Sequence, residues 1–159
     1  MRRVVFDTGE HSYVRVRDEG GRIVMTYKDF LDQNSITGTK ENNVGVDKND
    51  DAIEILECCG LHRKSHEESL REKWKIGEVE VCIDAWPWLP TYVEVEGPDE
   101  VSVWDIASKL GLDKDSAMFG SVDNVYAHYY GIDPKVFTYE TPEVTFDMEP
   151  PVWVRSSRA

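Results

Sequence analysis

The sequence predicts an α+β fold, an antiparallel sheet with helices packed outside it, and three observations carry that prediction. Five segments alternate apolar and polar residues with period two, the pattern of strands with one buried face. Asp18-Glu19-Gly20-Gly21 stands between two of them as a hairpin turn. Three other segments place apolar residues at helical spacing.

The elements follow in order. Residues 3–8, 12–17 and 22–28 are rich in β-branched and aromatic residues and read as strands. Residues 29–48 are polar, with Asn34, Gly38, Asn42, Asn43 and Gly45, and read as a loop around a weak strand. Over 50–59 a helix is expected, capped by Asp50 or Asp51 and ended by Gly60. Lys64 to Trp74 is charged and extended, and Glu78 to Asp84 alternates as a strand. Trp86-Pro87-Trp88-Leu89-Pro90 is a rigid turn before a strand from Tyr92 to Glu96. Gly97-Pro98-Asp99 opens a helix with Val103, Trp104, Ile106, Ala107 and Leu110 on its apolar side, closed by Gly111. A further helix covers 121–130. Residues 134–159 carry Pro134, Pro142, Pro150 and Pro151 and are expected to form a loosely held tail with one weak strand, Val144 to Phe146.

Composition narrows the function. The chain has 159 residues, net charge −13 and a pI near 4.7, a sign that repels nucleic acids and anionic membranes. Any polyanion site must therefore focus positive charge in one place. The longest apolar stretches fall far short of a membrane span and no signal-peptide h-region is seen, so a cytoplasmic location is expected. Cys58, Cys59 and Cys82 show no zinc spacing and read as reduced thiols in or near the core. His11, His62, His66 and His128 are scattered and suit surface or packing roles. Trp86, Trp88 and Trp104 suit packing better than stacking on a ligand ring.

Residues two apart on a strand share a face. Arg15 and Arg17 oppose Val14 and Val16; Thr26 and Lys28 oppose Met25 and Tyr27; Glu94 and Glu96 oppose Val93 and Val95. One hairpin supplies cations and the other pair supplies acids. A triphosphate needs guanidinium and ammonium groups for its oxygens and Mg²⁺ or Mn²⁺ on carboxylates. Basic strands facing acidic ones across an enclosed space would provide both.

These segments resemble the CYTH superfamily, the triphosphate tunnel enzymes that include class IV adenylate cyclases and thiamine triphosphatases. The resemblance rests on Phe6-Asp7-Thr8, Arg15-x-Arg17, Thr26-x-Lys28 and Glu68 to Trp74. It continues through Val81-x-Ile83-Asp84, the Trp-Pro turn, Tyr92 to Pro98, Phe119 to Val122 and Tyr126 to Gly131. It covers residues 3–133, which makes 1–133 a CYTH-like domain and 134–159 its tail. It implies an antiparallel β-barrel, the triphosphate tunnel, with outer helices. It also implies that Arg15, Arg17, Lys28 and Arg71 hold phosphate oxygens, and that Glu94 and Glu96 bind the metal. Asp84 is implied as a further ligand or water-positioning group.

Two departures qualify the likeness. The family's first strand carries Glu-x-Glu-x-Lys, which nothing before Val4 matches, so the barrel is expected to lack its first strand and to keep an unpaired edge. An upstream start, favoured here, a partner chain or a degenerate inactive protein would each account for this. The position before Arg71, commonly Lys in the family, is Leu70. The expected function is a metal-dependent phosphohydrolase on inorganic or organic triphosphate, impaired if the first strand is absent. The alternatives are a class IV-type adenylate cyclase and a non-catalytic polyphosphate- or nucleotide-binding module. The partner is a small-molecule triphosphate or nucleotide, not nucleic acid or membrane, and a homo-oligomer is left open.

Overall fold

The structure, a computed structural model, describes residues 1–31 and 39–156. The period-two segments pair as expected. Strands β1 (Arg2–Gly9), β2 (Ser12–Asp18), β3 (Ile23–Phe30) and β4 (Thr39–Val46) form an antiparallel meander. Strand β5 (Arg63–Glu68) pairs antiparallel with the other side of β1. A second antiparallel sheet contains β6 (Leu70–Ile76), β7 (Val79–Ala85) and β8 (Tyr92–Glu96). Between β6 and β7 the turn needs a left-handed residue, and Gly77 supplies it at φ +63° without a Cβ penalty.

Only Ser69 separates β5 from β6, so one bent segment runs through both sheets. The bend is pinned by backbone: the Met1 ammonium donates to the Ser69 carbonyl at 2.6 Å, and the Ser69 N–H donates to the Met1 carbonyl at 3.0 Å. Among the described residues the two sheets do not close into a ring, and β4 and β8 keep free edges. The antiparallel barrel is therefore open.

Apolar residues on the convex faces are covered by helices. Helix α1 (Asn49–Cys58) sets Ala52 and Ile53 against Val4, Phe6 and Val16. In α2 (Glu100–Lys109) the Asp99 side chain accepts from the Ser102 N–H at 2.9 Å, satisfying one orphan donor of the first turn. Its Ile106 packs on Val79 and Val81. No helix among the described residues is long and apolar enough to cross a membrane.

Three readings need correction. The 29–48 loop contains a full strand: β3 extends to Phe30 and β4 pairs with it from Thr39 to Val46; part of the loop, 32–38, lies outside the described residues. Asn42, Asn43 and Gly45 have poor strand propensity, but a ladder along β3 outweighs it. Cys58 and Cys59 are exposed at the end of α1, and only Cys82 is buried.

The tail is not loosely held. Helix α4 (Pro134–Glu140), strand β9 (Glu143–Val144), parallel to β5, and helix α5 (Val152–Ser156) bury Phe137, Val144 and Val154. They pack against Trp86 and against Tyr126 and Tyr130 of α3 (Val122–Tyr130). The Tyr126 hydroxyl donates to the Pro87 carbonyl at 2.6 Å, and that of Tyr130 to the Trp88 carbonyl. These bonds hold the Trp-Pro turn, in which Trp88 sits at φ +67°, an uncommon conformation for a bulky residue. Val154→Ala should lower stability by about 2 kcal/mol, from two buried methyl groups plus a cavity. Thermal denaturation checks this, since a free tail would leave Tm unchanged.

Candidate functional site

Strand registers decide which side chains meet. Arg3 lies opposite Arg17, and Val5 opposite Arg15. Arg15 lies opposite Thr26 and Tyr13 opposite Lys28, and Thr26 and Lys28 lie opposite Asn43 and Glu41 of β4. Across β1, Arg3 faces Glu67 and Val5 faces Ser65. All therefore occupy the face opposite the α1 core. In the second sheet Arg71, Asp84 and Tyr92 form one row and Lys73, Cys82 and Glu94 the next. Arg3, Arg15, Arg17, Lys28, Arg71, Glu94 and Glu96 all line one cavity of about 1650 Å³. Asp84 does not; it is fully buried behind Arg71.

The cations differ in how far they are neutralised. Arg71 makes the densest contacts: Nε donates to Asp84 Oδ1 at 2.6 Å, and Nη2 donates to Asp84 Oδ2 and to Glu94 Oε2, the latter at 2.5 Å. These two acids hold its guanidinium well above its usual range despite burial. Asp84 thus orients Arg71 from behind. Arg17 meets Glu19 at 2.6 Å and Lys28 meets Glu41 at 2.7 Å.

Arg3 and Arg15 have no acidic partner within ion-pair distance among the described residues. Arg15 Nε is buried with no hydrogen-bond partner, as are Arg3 Nε and Arg17 Nε. Burial lowers Arg3 to about 10, Glu67 opposes that shift, and Arg15, Arg17 and Arg71 add to it. Burial lowers Arg17 too, with Arg15 adding and Glu19 opposing. Several guanidinium groups thus repel one another in one low-dielectric space, a cost that an anion would relieve.

The acidic wall is simpler. Glu94 and Glu96 share a face of β8, with Glu96 opposite Glu80. Burial pushes the Glu94 carboxyl up, Arg71 opposes it, and Asp84 and Glu96 reinforce it.

A divalent ion fits these acids only in part. Among the described residues no group of three or more His, Cys, Asp or Glu side chains is arranged to hold a metal. Glu94 and Glu96 are two oxygen-donor residues on one face of β8, fewer than a protein-only site for a hard divalent cation needs.

Sequence reasoning missed Arg3, Glu41, Asn43 and Glu67 as members of this face. The first could have been found from the β1–β2 hairpin, whose register sets Arg3 beside Arg17.

Cations and acids thus line one cavity of an open antiparallel barrel. The CYTH domain family matches residues 6–125, and the chain belongs to that family, whose members in general bind triphosphates and depend on metal. Solved structures share the fold. The PH1012 protein of Pyrococcus horikoshii is 22% identical with a TM-score of 0.63, over 72% of this chain and 74% of that one. A conserved hypothetical protein of Pyrococcus furiosus is 18% identical with a TM-score of 0.62 and the same coverage. The PH1819 protein of P. horikoshii is 19% identical with a TM-score of 0.52, over 69% and 70%. No curated protein matches.

Proposed function

We propose that the cavity binds a triphosphate chain and, with Mg²⁺ or Mn²⁺, transfers its terminal phosphoryl group to water. The observation that carries this reading is the row of buried guanidinium Nε atoms without partners, on Arg3, Arg15 and Arg17, in a protein of net charge −13. The registers spread the cations along β2 and β3 from the Arg17 position to that of Lys28 opposite Tyr13. Four residues at ~3.3 Å each span about 13 Å, which suits a phosphate chain better than one phosphate.

Each residue has a task in this reading. Arg15 and Arg17 grip non-bridging oxygens with paired N–H donors, and Lys28 supplies a point charge at the outer end. Arg71, fixed by Asp84, presents charge to the phosphoryl group as electrons shift toward the leaving oxygen. Glu94 and Glu96 would hold the divalent ion, which would supply charge neutralisation of phosphate oxygens. Little covalent chemistry is asked of the protein; alignment and charge stabilisation supply the rate. Incubating the chain with tripolyphosphate and Mg²⁺ or Mn²⁺ should release orthophosphate, and Glu94→Gln should abolish the release. Absence of release from the parent protein would refute the hydrolase reading.

One observation favours a second reading, binding without turnover: Arg71 already pairs with Glu94, and among the described residues no group of three or more His, Cys, Asp or Glu side chains is arranged to hold a metal. That reading keeps triphosphate binding and removes its metal dependence.

A further inference from the structure

We infer that the outer face of the β6–β7–β8 sheet is a self-association surface, on which a second copy of this chain docks. This is independent of the triphosphate reading, because that face lies on the far side of the sheet from Arg71 and Glu94. Leu70, Trp74 and Ile76 share one side of β6, Ile83 lies opposite Glu72 on that side, and Val93 lies opposite Ile83. These five apolar side chains are between 39% (Ile83) and 62% (Leu70) exposed. The rest of the face is covered, since Ile106 of α2 packs on Val79 and Val81, with Val95 against them. Helix α2 thus shields one end of the sheet and leaves the other apolar and open to water. Apolar side chains gathered on one exposed face mark a contact surface, whereas scattered ones do not.

Charge selects the occupant. The chain carries net charge −13, so most of its surface repels a second copy. Among the outward residues of these three strands only Glu72 is charged, and its Oε1 accepts from Trp74 Nε1 at 3.0 Å. Two copies therefore meet with least repulsion here, and an apolar sheet face packs on another such face as a sandwich. Pairing along the edge of β6 is opposed by Lys73 and Lys75, cations on an outer strand that would meet their own copies. Face-to-face packing is left.

Size sets the strength. Three strands ~4.8 Å apart, the longest of 7 residues at ~3.3 Å each, give a face of roughly 300 Å² in projection. A standard interface buries about 800 Å² per partner, so the dimer is weak and reversible, with a Kd on the order of tens of micromolar. Trp74 is its anchor, because a few large aromatic side chains dominate such contacts.

Sedimentation velocity of the full chain from roughly 5 to 500 μM tests this in the parent, W74S, I83K and E72Q proteins. The parent should pass from monomer to dimer over that range and stop there, since one isologous face closes on two copies. W74S, which leaves the net charge unaltered, should weaken the dimer at least about 30-fold, and I83K at least about 10-fold. E72Q removes the one charge on the face and should tighten the dimer about 3-fold or more. Added salt should also tighten it, because salt screens repulsion between the two chains and leaves an apolar contact intact. A parent that stays monomeric at the highest concentration overturns the inference, as does growth beyond two copies. Dimerisation that survives both W74S and I83K, or that loosens in salt, overturns it as well by placing the contact elsewhere. Should either variant not fold, the other decides, and the parent and E72Q results stand without them.

Discussion

Arg71→Met should destabilise the fold by about 3–5 kcal/mol, because it strands a carboxylate in the interior. Asp84 is fully buried and accepts two hydrogen bonds from Arg71. Breaking a buried pair from one side leaves an uncompensated charge, whereas replacing both partners with apolar groups is often neutral. The double variant Arg71→Met/Asp84→Leu should thus recover most of the loss. Denaturant melts of the two variants and the parent measure it, and at this chain length the single variant should fall by about 10 °C or more. Tripolyphosphate binding should not return with stability in the double variant, since the guanidinium that faces the cavity is absent. Equal stability of the single variant and the parent would contradict this account of Asp84.

Arg15→Leu should act in the opposite sense on stability and strongly on binding. Its guanidinium has no acidic partner among the described residues, and its Nε is buried and unbonded. Removing it eases repulsion with Arg3 and Arg17, so the unliganded variant should melt at or above the parent temperature. A bidentate charge-assisted contact is worth about 3 kcal/mol, so tripolyphosphate affinity should fall about 100-fold. Melting curves without ligand and with ligand at roughly 100 times the parent Kd would read both effects, since ligand linkage raises Tm only where binding survives. Lower unliganded stability with unaltered binding would assign Arg15 a structural role.

Much of this arrangement was legible from alternation alone. Val14, Val16 against Arg15, Arg17 in β2 and Val93, Val95 against Glu94, Glu96 in β8 divide their faces as read, because burying one face fixes strand register. Strand β4 was hidden because Asn42, Asn43 and Gly45 carry no apolar periodicity; its register comes from β3. The tail was hidden for a related reason. Prolines suggested looseness, while Phe137, Val144 and Val154 are far apart in sequence and meet only around Tyr126 and Trp153.

Within the site, pairing was less legible than facing. No spacing signal joins Arg71 to Asp84, thirteen residues away; the β6–β7 register brings them opposite. Arg3 sits in a strand dominated by Val4, Val5 and Phe6, and its role appears only once Arg17 and Trp86 are placed beside it. In a chain of net charge −13, Arg3, Arg15, Arg17 and Arg71 line one cavity.

The central claim concerns that concentration of charge, and titrating the 159-residue chain with tripolyphosphate by calorimetry at two salt concentrations tests it most directly. One saturating site per chain is the expected result, with affinity that weakens as salt screens the guanidinium groups. No heat of binding at either salt, or binding indifferent to salt, would contradict it.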